Sequence, residues 1–327
     1  MALSLGAVLS LGVTALHAAP AEKTSARYVY TANEGDSSIS VIDMATGLVR
    51  TFPTSIAPHN IQTSHDGRLL LAAGTKAASS ERGKLLIFDT WNMAAKPVEI
   101  TVGHHPAHVV IDRWGKRAYV TNADDNTVSV VDVPNRKVVA SIKTAGYPHG
   151  LRLSPNGREL YVACVADNNA SVIDVRKDKE VKRIHVGKAP VQVGFTPDGR
   201  RVYVSLRDEN SVAVIDTARR RRIALVPVGR GPIQVFATPN GRRLYVANEG
   251  SAAKPADTVL VIDTATNRVT ATIVAGLGAH GVVISKDSKR VYVTNTRDNT
   301  VSVIDTATNK VLRNFKVGAE PNGITLR

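Results

Sequence analysis

The stretch YVTNADDNTVSVVD, Tyr119 to Asp132, decides the architecture because it recurs. YVACVADNNASVID runs from Tyr161 to Asp174, YVSLRDENSVAVID from Tyr203 to Asp216, and YVTNTRDNTVSVID from Tyr292 to Asp305. Counterparts begin at Tyr30, Leu71 and Tyr245, so seven anchors follow one another at intervals of 41, 48, 42, 42, 42 and 47 residues. The two long intervals carry polar insertions at the same place, TKAASSERGK after Gly74 and SAAKPAD after Gly250. A repeat that accepts insertions at one point has a loop there.

Within one repeat, HGLRLS (His149 to Ser154), ELYVAC (Glu159 to Cys164), ASVIDV (Ala170 to Val175) and KEVKRIHV (Lys179 to Val186) are short runs rich in β-branched residues, here called strands A to D. Pro155-Asn156-Gly157-Arg158 punctuates A and B, an Asp/Asn cluster separates B and C, and a polar turn separates C and D. Four antiparallel strands in a unit of this length predict a propeller blade rather than a helical solenoid. The chain enters at a strand B (Arg27 to Ala32), and its last residues, Asn322 to Arg327, match strand A. Strand counting therefore predicts an all-β, seven-bladed propeller in which the C-terminal A strand completes the N-terminal blade and closes the ring.

Composition bounds the chemistry. A hydrophobic content of 43% excludes a disordered chain, and the single cysteine, Cys164, excludes an intramolecular disulfide, a zinc ribbon and a Cys-x-x-Cys-His haem attachment. Any metal must rely on His, Asp or Glu, and Cys164 itself reads as a buried, inert thiol. Residues 1–21 read as a signal peptide: Met1 to Ala21 has no charged residue, its apolar stretch from Leu3 to Leu16 is too short to span a bilayer, and small residues follow at Ala18, Ala19 and Ala21. Residues 22–327 are then the propeller, expected to be a monomer, periplasmic or secreted, and not an integral membrane protein.

With YVTN at Tyr119 and Tyr292 and the recurring VIDTATN word, the sequence resembles the secreted YVTN-repeat β-propellers, which are related to the periplasmic propellers that carry haem d1 or copper. The resemblance implies the fold over nearly everything after residue 21. The relatives it implies are diverse: surface proteins, nucleic-acid-binding periplasmic proteins, lactonases and cofactor-bearing propellers. The d1 propellers have eight blades where this chain has seven, and no electron-transfer domain accompanies it. Fold resemblance alone assigns no function.

Most repeated residues have a structural explanation. Asp43, Asp89, Asp132, Asp174, Asp216, Asp263 and Asp305 each end a strand C, where a carboxylate can cap the following turn. Functional signal is expected where repeats differ. At the head of strand A, the innermost strand, one column reads His59, Ala107, His149, Val191, Ile233, His280 and Asn322, and the next reads Asn60, His108, Gly150, Gln192, Gln234, Gly281 and Gly323. Four histidines thus fall on a ring two residues deep, with His104 and His105 in the loop feeding it, whereas His65 and His185 read as surface residues.

Alternation along a strand puts the two columns against opposite neighbouring blades. Either His149 meets His108 and His280 meets Gln234, or His59 meets His108 and His149 meets Gln192. Several imidazoles without thiolate suit copper or zinc. The competing reading is that these His, Gln and Asn side chains bond backbone groups at blade ends and keep the channel mouth rigid. A small-ligand site, and a cofactor-free scaffold for a periplasmic partner protein, stay open beside it.

Two further expectations come from charge. The formal charge is +14, with acids gathered in B–C loops (Glu34, Asp124, Asp208 and Glu249 among them) and bases in A–B and C–D turns, including Arg219, Arg220, Arg221 and Arg222. These loops emerge on opposite faces, which predicts a basic face able to attract anionic lipid, glycan or nucleic acid. Interleaved surface aromatics look absent, which argues against base stacking. An enzyme, either a redox component or a lactonase-like hydrolase, comes third: no phosphate-cradling glycine loop, serine elbow or His-Glu-x-x-His word is present.

Overall fold

A computed structural model describes residues 26–76 and 81–327. The signal-peptide reading, and part of the TKAASSERGK insertion, lie outside the described residues. The described chain folds into seven four-stranded antiparallel sheets, each hydrogen-bonded in A–B–C–D order. Blade one consists of Tyr28–Asn33, Ser38–Asp43 and Val49–Pro53, completed by Pro321–Leu326. Blades two to seven follow from strand A segments Ala57–Thr63, Pro106–Ile111, Pro148–Leu153, Pro190–Phe195, Pro232–Ala237 and Ala279–Ile284. Closure is as the sequence predicts: Val29 pairs with Leu326, Tyr30 with Thr325 and Thr31 with Ile324. Among the described residues no helix is long and apolar enough to cross a membrane.

Strand B carries the core. Tyr30, Tyr119, Tyr161, Tyr203, Tyr245 and Tyr292 are all fully buried between blades, packed with Val, Ile and Leu of strands B and C from the next sheet. The Asn of YVTN is a buried bracket. Asn122 Nδ2 donates to Thr127 Oγ1 (3.0 Å) and Ser129 Oγ (2.9 Å), and its Oδ1 accepts from Gly103 N–H (2.9 Å). Asn33 and Asn295 repeat the bonds to strand C. The seven C-terminal strand-C aspartates cap their turns as expected: Asp43 accepts from Ala45 N–H, Asp89 from Trp91, Asp132 from Asn135, Asp174 from Arg176, Asp216 from Arg219, Asp263 from Thr266 and Asp305 from Ala307.

The head of every strand A departs from regular pairing. In blade four, Pro148 pairs with Cys164 and Leu151 with Val162, so three steps on strand A oppose two on strand B. Equivalent shifts occur at Pro58/Asn60, Pro106/Val109, Pro190/Val193, Pro232/Val235 and Ala279/Val282. A bulge inserts one residue and re-aims the side chains around it. The bulged residues are the two histidine columns.

Candidate functional site

The bulge overturns the simple alternation expected at this point. First-column side chains turn over the channel mouth and meet across it, rather than only against an adjacent blade. His108 consequently has two imidazole neighbours: its ring centroid is 4.8 Å from His149 and 5.6 Å from His59. His59 and His149, on blades two and four, are 5.1 Å apart, and His280 of blade seven lies 6.4 Å from His59. Gln192 bonds His108, and Gln234 is buried at the equivalent position of blade six without a bond to the imidazoles.

The Thr of YVTN fixes this ring. Thr121 Oγ1 accepts from His108 N–H (2.9 Å) and donates to the carbonyl of His149 in the next blade (2.7 Å). Ser205 repeats the arrangement between Gln192 and Ile233, and Thr294 between Gly281 and Asn322. One hydroxyl thus ties the strand-A backbone of two blades together, which sets the spacing of the side chains they carry.

Hydrogen bonds assign the ring nitrogens. His149 Nδ1 donates to the Val191 carbonyl (3.1 Å) and His280 Nδ1 to the Asn322 carbonyl (3.1 Å). His59 Nδ1 donates to Glu34 Oε2 (2.9 Å), a carboxylate that Asn322 Nδ2 also bonds. These three rings therefore turn Nε2 away from backbone and carboxylate, and His59 Nε2 lies 3.1 Å from His149 Nε2. His108 is different. Gln192 Oε1 accepts from Val193 N–H (2.8 Å), so its Nε2 is the group that donates to His108 Nδ1 (3.3 Å).

Electrostatics separate the four rings. Burial would hold the His59 imidazolium down, but the charge and hydrogen bond of Glu34, with Glu249 beyond, outweigh it and raise the pKa. Burial, then the neighbouring His149 and His59 and the Arg152 charge, push His108 well below its ordinary range. Burial and His59 lower His149 to about 3, and burial lowers His280 against the opposing pull of Glu249. Glu34 is itself lowered: burial opposes ionisation, and His59, His280 and His105 overcome it.

His59, His108 and His149 each offer one nitrogen, and these atoms all lie within 4.8 Å of one another, so the three could hold a metal ion. His104 and His105 do not join them. His104 bonds Asp125 (2.8 Å), and His105 lies 3.5 Å from Asp124 and 3.4 Å from the Tyr147 hydroxyl. The reason is local: His105 holds the left-handed position before the strand-A proline that Tyr147, Ala189 and Glu320 hold elsewhere, and half of its side chain is exposed.

The amide side chains partly serve the backbone, as the competing reading expects. Asn60 accepts from Val109 N–H (3.3 Å) and Gln62 from Ile111 N–H (2.9 Å). Cys164 is fully buried, and burial pushes its thiol up to about 11, as an inert role requires.

On the opposite face, several basic residues are committed to neighbouring blades. Arg117 bonds Asp178 (2.6 Å), Arg201 and Arg243 bond the Thr264 and Thr306 carbonyls, Arg220 bonds Glu159, and Arg222 bonds the Val186 carbonyl (2.8 Å). Arg219 pairs with Asp216 in its own turn (3.0 Å), and Arg221 is exposed. Aromatic side chains are present on this face, contrary to the sequence reading: Trp91 in a C–D turn is 74% exposed and Trp114 in an A–B turn 66%. Arg327 lies 3.8 Å over the Trp91 ring and Arg113 5.8 Å over Trp114. Local turn positions, rather than any pattern along the chain, put both rings outside.

No curated protein matches the chain. Among solved structures, it is similar to hydrazine synthase of Kuenenia stuttgartiensis (22% identity, TM-score 0.72, covering 82% of this chain and 89% of that one). It is also similar to a functionally unknown protein of Desulfotomaculum acetoxidans (15%, TM-score 0.76, 92% and 98%). A Bacteroides fragilis protein provisionally named a 6-phosphogluconolactonase gives 16% identity and a TM-score of 0.76, covering 94% and 99%. At these identities the likeness concerns the fold. The family model for the YNCE-like beta-propeller matches residues 195–326, and that for the cytochrome D1 heme domain matches residues 75–249, more than half of the chain. The chain belongs to the cytochrome D1 heme domain family.

Proposed function

We propose that this protein is an exported propeller of the YVTN-repeat group that holds one copper or zinc ion at its channel mouth, in a periplasmic pathway. His59 and His149 supply Nε2, and His108 becomes the third ligand once Gln192 gives up its bond to Nδ1, with His280 beside them. The observation that carries the reading is the 3.1 Å between His59 Nε2 and His149 Nε2, each on a ring whose Nδ1 is already engaged. Two lone pairs cannot face each other at that distance without a proton or a cation between them. At metal–nitrogen distances of about 2.0–2.1 Å, two cis ligands stand roughly 3.0–3.4 Å apart, so the pair already has the bite of one ion. The Glu34–His59 bond supplies the outer carboxylate that orients metal-binding imidazoles and raises their basicity.

The residues present do not fit the haem for which the family is named. Three imidazoles pack with centroids 4.8–5.6 Å apart, and a planar macrocycle would have to part them.

The basic face supports a second reading, a docking surface for a periplasmic partner or an anionic polymer. Its specific support is a recess of about 390 Å³ where Arg50 and Arg327 stand among Tyr28, Phe52 and Trp91.

Metal content of untagged protein from its native compartment tests the first reading. Roughly one equivalent of copper or zinc is expected, lost in a folded His108→Ala, His149→Ala variant. No metal, and none taken up on titration, overturns it.

A further inference from the structure

We infer that the channel contains a second site, for a small planar anion such as a carboxylate, centred on the guanidinium of Arg152. Strand A of blade four places Arg152 three residues beyond His149, on the sheet side where Gly150 meets Val191 and Gln192 of blade five. Its counterparts in the other blades are Gln62, Val110, Gly194, Phe236, Val283 and Thr325, so it is the one charge at that level of the ring. The glycine at 194 leaves room beside it. A cavity of about 120 Å³ opens there, walled by Leu153, Phe195, Phe236 and Ala237.

Arg152 differs from the inter-blade arginines in having no acceptor. Arg117, Arg201, Arg220, Arg222 and Arg243 each bond a carbonyl or carboxylate of a neighbouring blade. Arg152 instead lies 5.4 Å over the Phe236 ring, and among the described residues no oxygen accepts from its five N–H donors. Burial lowers its pKa to about 10, and its charge is felt at His108. A half-buried guanidinium that no protein group pairs gains a charged, hydrogen-bonding partner from an anion in the adjoining cavity.

The chemistry of the walls selects the ligand class. A rigid planar fork matches a carboxylate or planar oxoanion edge to edge. Apolar surroundings disfavour a dianion such as sulfate or phosphate, and the volume suits a molecule of about four non-hydrogen atoms. The inference does not depend on the metal reading, because it rests on Arg152 having no acceptor among the described residues and on the cavity beside it.

The test uses metal-free protein at constant ionic strength, titrated with acetate or with acetamide, its neutral isostere. The readout is the Arg152 Nε–Hε NMR signal, identified by its absence in Arg152→Gln. A saturable shift with acetate and none with acetamide is expected, and acetate binding followed by calorimetry should be at least tenfold weaker in Arg152→Lys, which keeps the charge and loses the fork. Equal responses to acetate and acetamide, or no response to either, overturn the proposal, and that comparison needs no variant to fold. Acetate binding of unchanged strength in folded Arg152→Gln, followed by calorimetry, overturns it as well.

Discussion

His59 and His149 are ninety residues and two blades apart, yet their Nε2 atoms lie 3.1 Å from one another at the centre of the channel mouth. His59 reaches the axis because Glu34 holds its far nitrogen, and His149 because the Val191 carbonyl holds its own. In the metal-free protein this contact requires one proton between the two nitrogens, and Glu34, whose charge and hydrogen bond raise the His59 pKa, favours its placement on His59. A bound ion replaces that proton, so metal uptake near neutral pH is expected to release it.

Glu34→Gln keeps an acceptor for His59 Nδ1 and removes the charge. Zinc affinity should fall ten- to a hundredfold, and the His59 pKa should drop, because the carboxylate is what outweighs burial there. Calorimetric zinc titration and NMR titration of the His59 ring measure the two effects. Unchanged values for both would remove Glu34 from the site.

Acid should destabilise the metal-free protein. His108, His149 and His280 have folded pKa values below the ordinary 6.5, so between pH 6.5 and the folded values the unfolded chain binds more protons and stability falls with pH. The loss approaches about 1.4 kcal/mol per pH unit for a fully buried ring, and is smaller for the partly exposed His149. His59 acts in the opposite sense: its contribution is present below 6.5 and fades as pH rises through its raised folded value. Three lowered groups against one raised group leave net acid lability. Urea unfolding at pH 7.5, 5.5 and 4.5 should show it, with a shallower dependence in His149→Gln.

Gln192 bears on which nitrogen His108 can offer. Its amide donates to Nδ1, which places the neutral ring's proton on Nε2. Gln192→Glu would accept from Nδ1 instead, expose the Nε2 lone pair and add negative charge, so zinc should bind at least tenfold more tightly. The metal-free variant should lose stability, since residue 192 is fully buried. Weaker zinc binding in a folded variant would show that His108 coordinates through Nδ1.

Thr121→Val removes the hydroxyl shared by His108 N–H and the His149 carbonyl. Two backbone groups lose their partner, which should cost about 1–3 kcal/mol in urea unfolding and weaken zinc binding with it. Thr121→Ser should restore both. A stable Thr121→Val protein with full affinity would mean that the bulge alone positions the rings.

Blade number and ring closure could be read directly from the chain, since seven anchors and a terminal strand A admit one arrangement, and the pairing of Tyr30 with Thr325 is its consequence. The ring of candidate residues was legible for the same reason: repeat-equivalent positions lie at one depth. What alternation missed was the bulge at Pro148/Leu151, because an extra residue in one strand leaves the hydrophobic pattern of the next residues intact. Arg152 was overlooked because an arginine in a strand of a basic protein carries no local mark. Only its isolation within the folded ring distinguishes it.

The sequence by itself determined the blades, their order, the capped turns and the level at which histidines collect, because these follow from local periodicity repeated seven times. Tertiary structure alone decided which histidines meet, which nitrogen each presents, that His104 and His105 stay outside, and that Arg152 lacks an acceptor. These depend on contacts between residues tens to hundreds of positions apart, and on bulge geometry that shifts a side chain by one step without changing the pattern that encodes the strand.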